Sequence, residues 1–308
     1  MQNNRKFQLI HIFLMSILIL TGCHFPQTPL ETIPAASATL TATPPDPTHT
    51  AEVPPPTLTP TVTASPSPTP PPPTATPTPV LVYHEPGEVV APILLYHHID
   101  GDDYDNRYQV AVPDFRAQMQ WLYDHGYTAI TISTLVDVLL EGGELPEKPI
   151  VLTFDDGHLS VYEKAFPIME EYGFPGVFYI VANRINGSPD FVDVEQIKTM
   201  LDAGWEVGSH GYSHLDVTQN HYAAEYEIAQ SKYDLQAALE APVNTFAYPY
   251  GLIDPYTATM VSNAAYKAGM GLGVSITHTW GNLFYLNRIE IYGSDSLEEF
   301  AARFAQNP

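Results

Sequence analysis

The stretch Val151-Leu152-Thr153-Phe154-Asp155-Asp156-Gly157 constrains the fold of this chain more than any other. An uninterrupted apolar run of this length reads as a strand buried on both faces, inside a parallel sheet covered by helices. It ends in two adjacent carboxylates. Successive strand side chains point to opposite faces, so neighbouring acids share one site only where the strand stops. Gly157 then permits a tight turn. Downstream, Gly208-Ser209-His210-Gly211-Tyr212-Ser213-His214 places two histidines four apart after another short apolar run, and Phe246-Ala247-Tyr248-Pro249-Tyr250-Gly251 follows.

Two imidazoles and one carboxylate make a three-ligand site of zinc type, with a fourth position open for water. On this reading Asp156, His210 and His214 hold a divalent cation that lowers the pKa of the water. Asp155 remains free to remove the proton as the water attacks a carbonyl. Backbone N–H groups around Tyr250, beside Pro249, are candidates to receive the resulting oxyanion.

The rest of the chain from residue 80 supplies a sheet to carry these residues. Strands are expected at Ile93 to Tyr96, Tyr127 to Ile132, Pro149 to Phe154, Gly176 to Val181, Trp205 to Val207, Thr245 to Tyr248, Gly271 to Ile276 and Leu286 to Tyr292. Helices are expected over Pro113 to His125, from a Ser133 cap to Leu140, over Leu159 to Tyr172, from an Asp193 cap to Ala203, over Glu225 to Glu240 and Pro255 to Ala268, and after a Ser296 cap. This alternation implies an α/β domain with a parallel sheet, either closed as a barrel or doubly wound. The chemically suggestive residues all follow strands, where such sheets place their sites. Trp205 and Phe178 read as core, while Tyr212 and Trp280 are loop aromatics near the proposed site, available either to stack on a ligand or to cover the core.

The N-terminal quarter is of another kind. Arg5 and Lys6 precede an apolar run from Phe7 to Leu20, short for a membrane span and suited to a signal peptide over residues 1–22. Leu20-Thr21-Gly22-Cys23 resembles the bacterial lipobox, which implies acylation of Cys23, the chain's single cysteine, and a cell-surface lipoprotein on the outer face of the cytoplasmic membrane or cell envelope. Residues 23–79 form a Pro/Thr-rich linker; positions 24 to 79 hold 18 of the 30 prolines. Such a segment buries too little apolar surface to fold, and in polyproline II form it would reach on the order of 170 Å. Residues 80–308 carry 10 Lys and Arg against 32 Asp and Glu, a net charge of −22 that argues against nucleic acid and anionic lipid as partners and is compatible with a neutral or cationic polymer, or with solubility alone.

Thr153-Phe154-Asp155-Asp156-Gly157, His210-x-x-x-His214 and Tyr248-Pro249-Tyr250-Gly251 together resemble the motifs of the polysaccharide deacetylases, carbohydrate esterases of family 4 with a NodB-type domain. The resemblance covers nearly all of residues 90 to 305. It implies a distorted (β/α)7 barrel that hydrolyses N-acetyl, sometimes O-acetyl, groups of an extracellular or cell-wall polysaccharide. It also implies a metal, usually Zn2+, on Asp156, His210 and His214, with Asp155 as base.

Two departures stand out. Ala247 occupies the position where the family has an arginine that orients the base, and Arg288 in Leu286-Asn287-Arg288-Ile289 is the substitute expected here. The late Leu-x-His motif that supplies the general acid is missing. His278 lies in that part of the chain, but Pro92-Ile93-Leu94-Leu95-Tyr96-His97-His98-Ile99 resembles the opening of the circularly permuted poly-N-acetylglucosamine deacetylase subgroup. There an early Tyr-His provides the acid, which favours His97. The other readings are an O-acetyl esterase of xylan type and a catalytically inactive glycan-binding lipoprotein.

Overall fold

A computed structural model describes residues 79–101 and 106–305. The expected signal peptide, Cys23 and the linker up to residue 78 lie outside the described residues. Eight strands form the central sheet: β1 (Ile93–Tyr96), β2 (Thr128–Ala129), β3 (Pro149–Phe154), β4 (Val177–Ile180), β5 (Glu206–Ser209), β6 (Thr245–Ala247), β7 (Ala268–Met270) and β8 (Ile289–Glu290). They pair in parallel in the order β7-β6-β5-β4-β3-β1-β8, with β2 beside the first residues of β3. The segment leading into β8 closes the circle. Leu286 bridges Met270 of β7, and the Gly273 N–H donates to the Arg288 carbonyl at 3.0 Å. The result is the distorted (β/α)7 barrel that the resemblance implies.

Among the described residues, seven α-helices accompany the strands: α1 (Val112–Asp124), α2 (Ile132–Glu141), α3 (Phe166–Tyr172), α4 (Val194–Asp202), α5 (His221–Leu239), α6 (Pro255–Asn263) and α7 (Leu297–Ala305). The two-residue period of the strands sorts the core. Ile93, Val151 and Val177 point into the barrel, where they meet Val89 and Met270. Leu94, Leu152 and Phe178 point outward to Met119 of α1 and Ile168 of α3. The interior is filled tightly: a Cβ on Gly208 would lie 2.2 Å from the ring of Tyr179, so β5 needs glycine there. An antiparallel ribbon of Glu88–Val90 and Thr277–Thr279 covers the N-terminal end of the strands. No helix among the described residues is long and apolar enough to cross a membrane.

Several expected boundaries move. The cap of α2 is Thr131, whose hydroxyl accepts from the Thr134 N–H, and not Ser133, which instead bonds Glu206. Asn220 caps α5 through Tyr222 and Ala223, so that helix starts four residues before Glu225. The expected helix Pro255 to Ala268 stops at Asn263, and the expected strand Gly271 to Ile276 is replaced by Ala268–Met270. The alanine-rich sequence favours helix locally. The sheet overrides it, because Thr245–Ala247 needs a parallel neighbour. The expected helix from Leu159 begins as a π-turn, Val161–Ala165, ahead of Pro167. Asp193 and Ser296 cap α4 and α7 as expected.

Candidate active site

The residues after the strands converge on a cavity of about 380 Å³ at the C-terminal end of the barrel. In phase with Val151 and Thr153, Asp155 points inward at the end of β3 and is buried. Asp156 would point away if the strand continued. Its φ of 74° and that of Gly157, 83°, turn the chain so that the second carboxylate reaches the same cavity. A left-handed conformation at a non-glycine residue is costly, and of the six such residues among the described ones, Asp156, His214 (φ 68°) and Tyr250 (φ 61°) line this cavity.

Asp156, His210 and His214 each offer one ligand atom, and these atoms all lie within 4.8 Å of one another. His210 Nδ1 donates to the Ala247 carbonyl at 2.8 Å, which turns its Nε2 toward the carboxylates, 3.6 Å from Asp155. His214 Nε2 stands 3.3 Å from Asp156, and Arg184 donates to the same oxygen at 3.0 Å. Burial disfavours ionisation of Asp156, but His158, His210 and His214 outweigh it and hold the carboxyl far below its usual range. Burial, with His210 beside it, lowers the His214 pKa to about 4 and keeps the imidazole neutral, the form that binds a cation.

Asp155 is held separately. Arg288 donates to both of its oxygens, at 2.6 and 2.7 Å, and is itself buried over the ring of Tyr179. The guanidinium also bonds the Gly271 carbonyl at 3.3 Å and Thr153 at 3.4 Å. Burial again opposes the charge on Asp155, and Arg288 and His210 more than offset it, so the carboxyl stays below its ordinary pKa. Arg288 reaches Asp155 because the segment closing the barrel runs between β7 and β1.

His97 lines the cavity and packs against Tyr108, with its buried Nδ1 lacking a partner among the described residues. Burial lowers its pKa, with Asp155 and Asp156 pulling the other way. His278 is elsewhere: fully buried on the ribbon at the opposite end, with Nε2 3.0 Å from the Ala91 carbonyl. Tyr250 is exposed at the cavity rim, its ring 4.6 Å from that of His214. Pro249 is buried behind it against Gly211 and does not line the cavity. As a proline it has no N–H to offer. Trp280 departs from expectation too: it sits beside Gly87 at the ribbon end, away from the cavity. Tyr212 packs on Tyr226 of α5 and is not among the cavity residues.

Sequence reasoning passed over Arg184 and His158, both in contact with Asp156, and the Arg107–Glu290 pair at the cavity wall. The strand-end rule applied to β4 and β8 would have found Arg184 and Glu290. His158 only gains meaning from the left-handed turn.

Residues 142–269 match the family model described as polysaccharide deacetylase. His97 and Arg288 lie outside that match. The chain is 25% identical over 211 residues to the poly-beta-1,6-N-acetyl-D-glucosamine N-deacetylase of Staphylococcus aureus (strain MRSA252), covering 64% of this chain and 72% of that protein. Two solved structures are similar at 26% identity. The Streptococcus pyogenes deacetylase PplD in complex with acetate gives a TM-score of 0.63 over 74% of this chain and 99% of that one. IcaB from Ammonifex degensii gives 0.62 over 72% of this chain and 100% of that one.

Proposed function

We propose that the chain, which matches the polysaccharide deacetylase model over residues 142–269, carries a deacetylase domain of the NodB type and is an exported, metal-dependent enzyme removing N-acetyl groups from an N-acetylglucosamine-containing polysaccharide. One arrangement carries the reading: a buried carboxylate clamped by arginine, Asp155, stands beside a separate three-ligand cluster in one cavity.

The donor set Asp156, His210 and His214 suits Zn2+, two imidazoles and a carboxylate with the His210 tautomer already selected. Bound there, such a cation supplies Lewis acidity to the acetyl carbonyl and lowers the pKa of a water. Arg288 keeps Asp155 ionised yet makes it a weak base. A weak base suffices only for a water that has already been acidified, so the clamp and the cluster belong to one device.

Asp155 takes the proton as the water oxygen bonds to the carbonyl carbon and the C=O pair moves onto oxygen. Of the amides in the Pro249 turn, those of Gly251 and Leu252 are taken by the Tyr248 and Pro249 carbonyls, so the Tyr250 N–H is the donor for this oxyanion. Collapse re-forms C=O and breaks the C–N bond, and His97 in its protonated form, which the Asp155 and Asp156 carboxylates favour against burial, gives its proton to the departing nitrogen and recovers one from Asp155. Acetate and a free amine leave.

Cys23, acylated, would tether the chain, with residues 24–79 holding the domain off the membrane. Loss of palmitate labelling in Cys23→Ser tests that part alone. The activity is tested by measuring zinc and acetate release from N-acetylglucosamine oligomers with the purified full chain. Stoichiometric metal and chelator-sensitive acetate release are expected. Acetate from acetylated xylan but not from the oligomers would redirect the reading to an O-acetyl esterase, and metal binding with no acetate from either would leave a binding protein.

A further inference from the structure

The outer face of α5 is not polar. Tyr222, Tyr226 and Tyr233 are 89%, 53% and 69% exposed. At 100° per residue they fall within about 40° of one another, directly opposite the buried side of the helix, Ala224, Ile228, Ser231 and Leu235. Ala229 shares the face and leaves the space between the rings open. Three large aromatics aligned over about 16 Å, with Tyr226 edge-on to Tyr212, make a platform and not a scatter of single exposed side chains.

We propose that this stripe is a second binding site, for an aminosugar polymer that already carries free amines. The inference rests on the deacetylase reading, because that reaction produces such a polymer. Tyrosine rings present flat apolar faces with a polar tip, suited to stacking on the C–H face of a pyranose. Charge selects the occupant. Glu225 and Asp234 flank the stripe on its two sides. Lys232, the helix's single cationic residue, is turned toward α6, with Nζ 2.5 Å from the Ala265 carbonyl. The whole domain from residue 80, at 10 cationic against 32 acidic side chains, reinforces that selection. Beside the stripe, a groove of about 300 Å³ between α5 and α6 carries Glu225 and the half-exposed Tyr256 on its wall.

The stripe also touches the loop that carries the two cavity histidines. The ring of Tyr226 lies 5.0 Å from that of Tyr212, inside the His210–His214 loop, and Glu227 of α5 accepts from the Ser213 N–H of that loop at 2.8 Å. A strand of polymer leaving the cavity past His214 meets Tyr226 first. Held there, the product end keeps the next acetylated units near the cavity.

The test uses the full chain and three substitutions together, Tyr222→Ala, Tyr226→Ala and Tyr233→Ala, none of which touches a cavity residue. Retention on partly deacetylated chitosan beads should weaken by at least about tenfold, while turnover of a short N-acetylglucosamine oligomer stays within twofold. The corresponding Tyr→Phe variants should retain chitosan, and Glu225→Gln with Asp234→Asn should remove the salt-sensitive part of retention. Unchanged retention in the triple alanine variant overturns the proposal. So does equal retention on fully acetylated chitin, which would show stacking without charge selection. Self-association in sedimentation that disappears in the triple variant, with no chitosan retention by the parent chain, would assign the stripe to a second copy instead and also overturns it. Chitosan retention with no oligomer turnover by the parent chain would break the deacetylase reading and leave the binding arm readable.

Discussion

At the C-terminal end of the strands, His97, His210 and His214 surround two carboxylates in an open cavity, whereas at the opposite end His278 is sealed with one carbonyl partner. Aromatics divide the same way, with Tyr250 at the cavity rim and Trp280 against the ribbon. Both ends hold imidazoles and rings, and both were candidates from sequence. The difference is the direction of the strands. Their C-terminal ends release loops that are free to turn inward, as at Asp156, while the N-terminal ends are capped by Glu88–Val90 and Thr277–Thr279. Burial lowers the pKa of His278 at the capped end and of His214 at the open end alike to about 4; the difference is that His214 stands beside the Asp156 carboxylate, whereas His278 meets a backbone carbonyl.

The contrast is sharpened most by His210→Ala, which should abolish both zinc binding and acetate release, measured by metal analysis and turnover, with the barrel still folded by circular dichroism. Asp155→Asn should lower kcat by about 10²–10⁴-fold at unchanged metal content; loss of the metal instead would mean that the two aspartates exchange roles. His97→Ala should lower kcat by roughly 10²-fold without loss of metal. His278→Gln, keeping the donor to Ala91, should leave kcat within twofold, and a fall matching that of His97→Ala would break the distinction between the two ends.

The smallest effect is on stability. Burial, partly opposed by the bond to Ala91, lowers the His278 pKa to about 4, while the unfolded chain titrates it near 6.5. Between those values the unfolded state binds more protons, so the contribution is complete above about pH 6.5 and is lost as pH falls toward 4. The loss amounts to about 3 kcal/mol at most. Denaturant titrations at several pH values should show a shallower acid-side decline for His278→Gln than for the parent chain. Equal slopes would place the proton elsewhere, since His98 and His214 are displaced in the same direction.

Arg288 shows how far sequence reasoning reached into the site. With only 10 cationic residues in the domain and Ala247 where an arginine was expected, one buried-looking arginine in an apolar context was enough to single it out. Its bidentate geometry on Asp155 was not legible, because it arises where the sheet closes through Leu286 and Met270, pairs distant in sequence. The elements were legible where hydrophobic period and caps agreed, as for Pro149–Phe154 and the Asp193-capped helix. They failed at Ala268–Met270, where local helix propensity and the demand for a sheet partner disagreed.

Chemistry-bearing residue types and the spacing Asp-Asp and His-x-x-x-His are properties of the chain alone, whereas left-handed turns at Asp156 and His214 bring those neighbours to a common point. Which histidine stands beside that point, and which arginine clamps Asp155, is decided by strand order and barrel closure. Those depend on long-range packing that no local stretch encodes, and they bring Asp155, His210 and Arg288 together across more than a hundred residues of sequence.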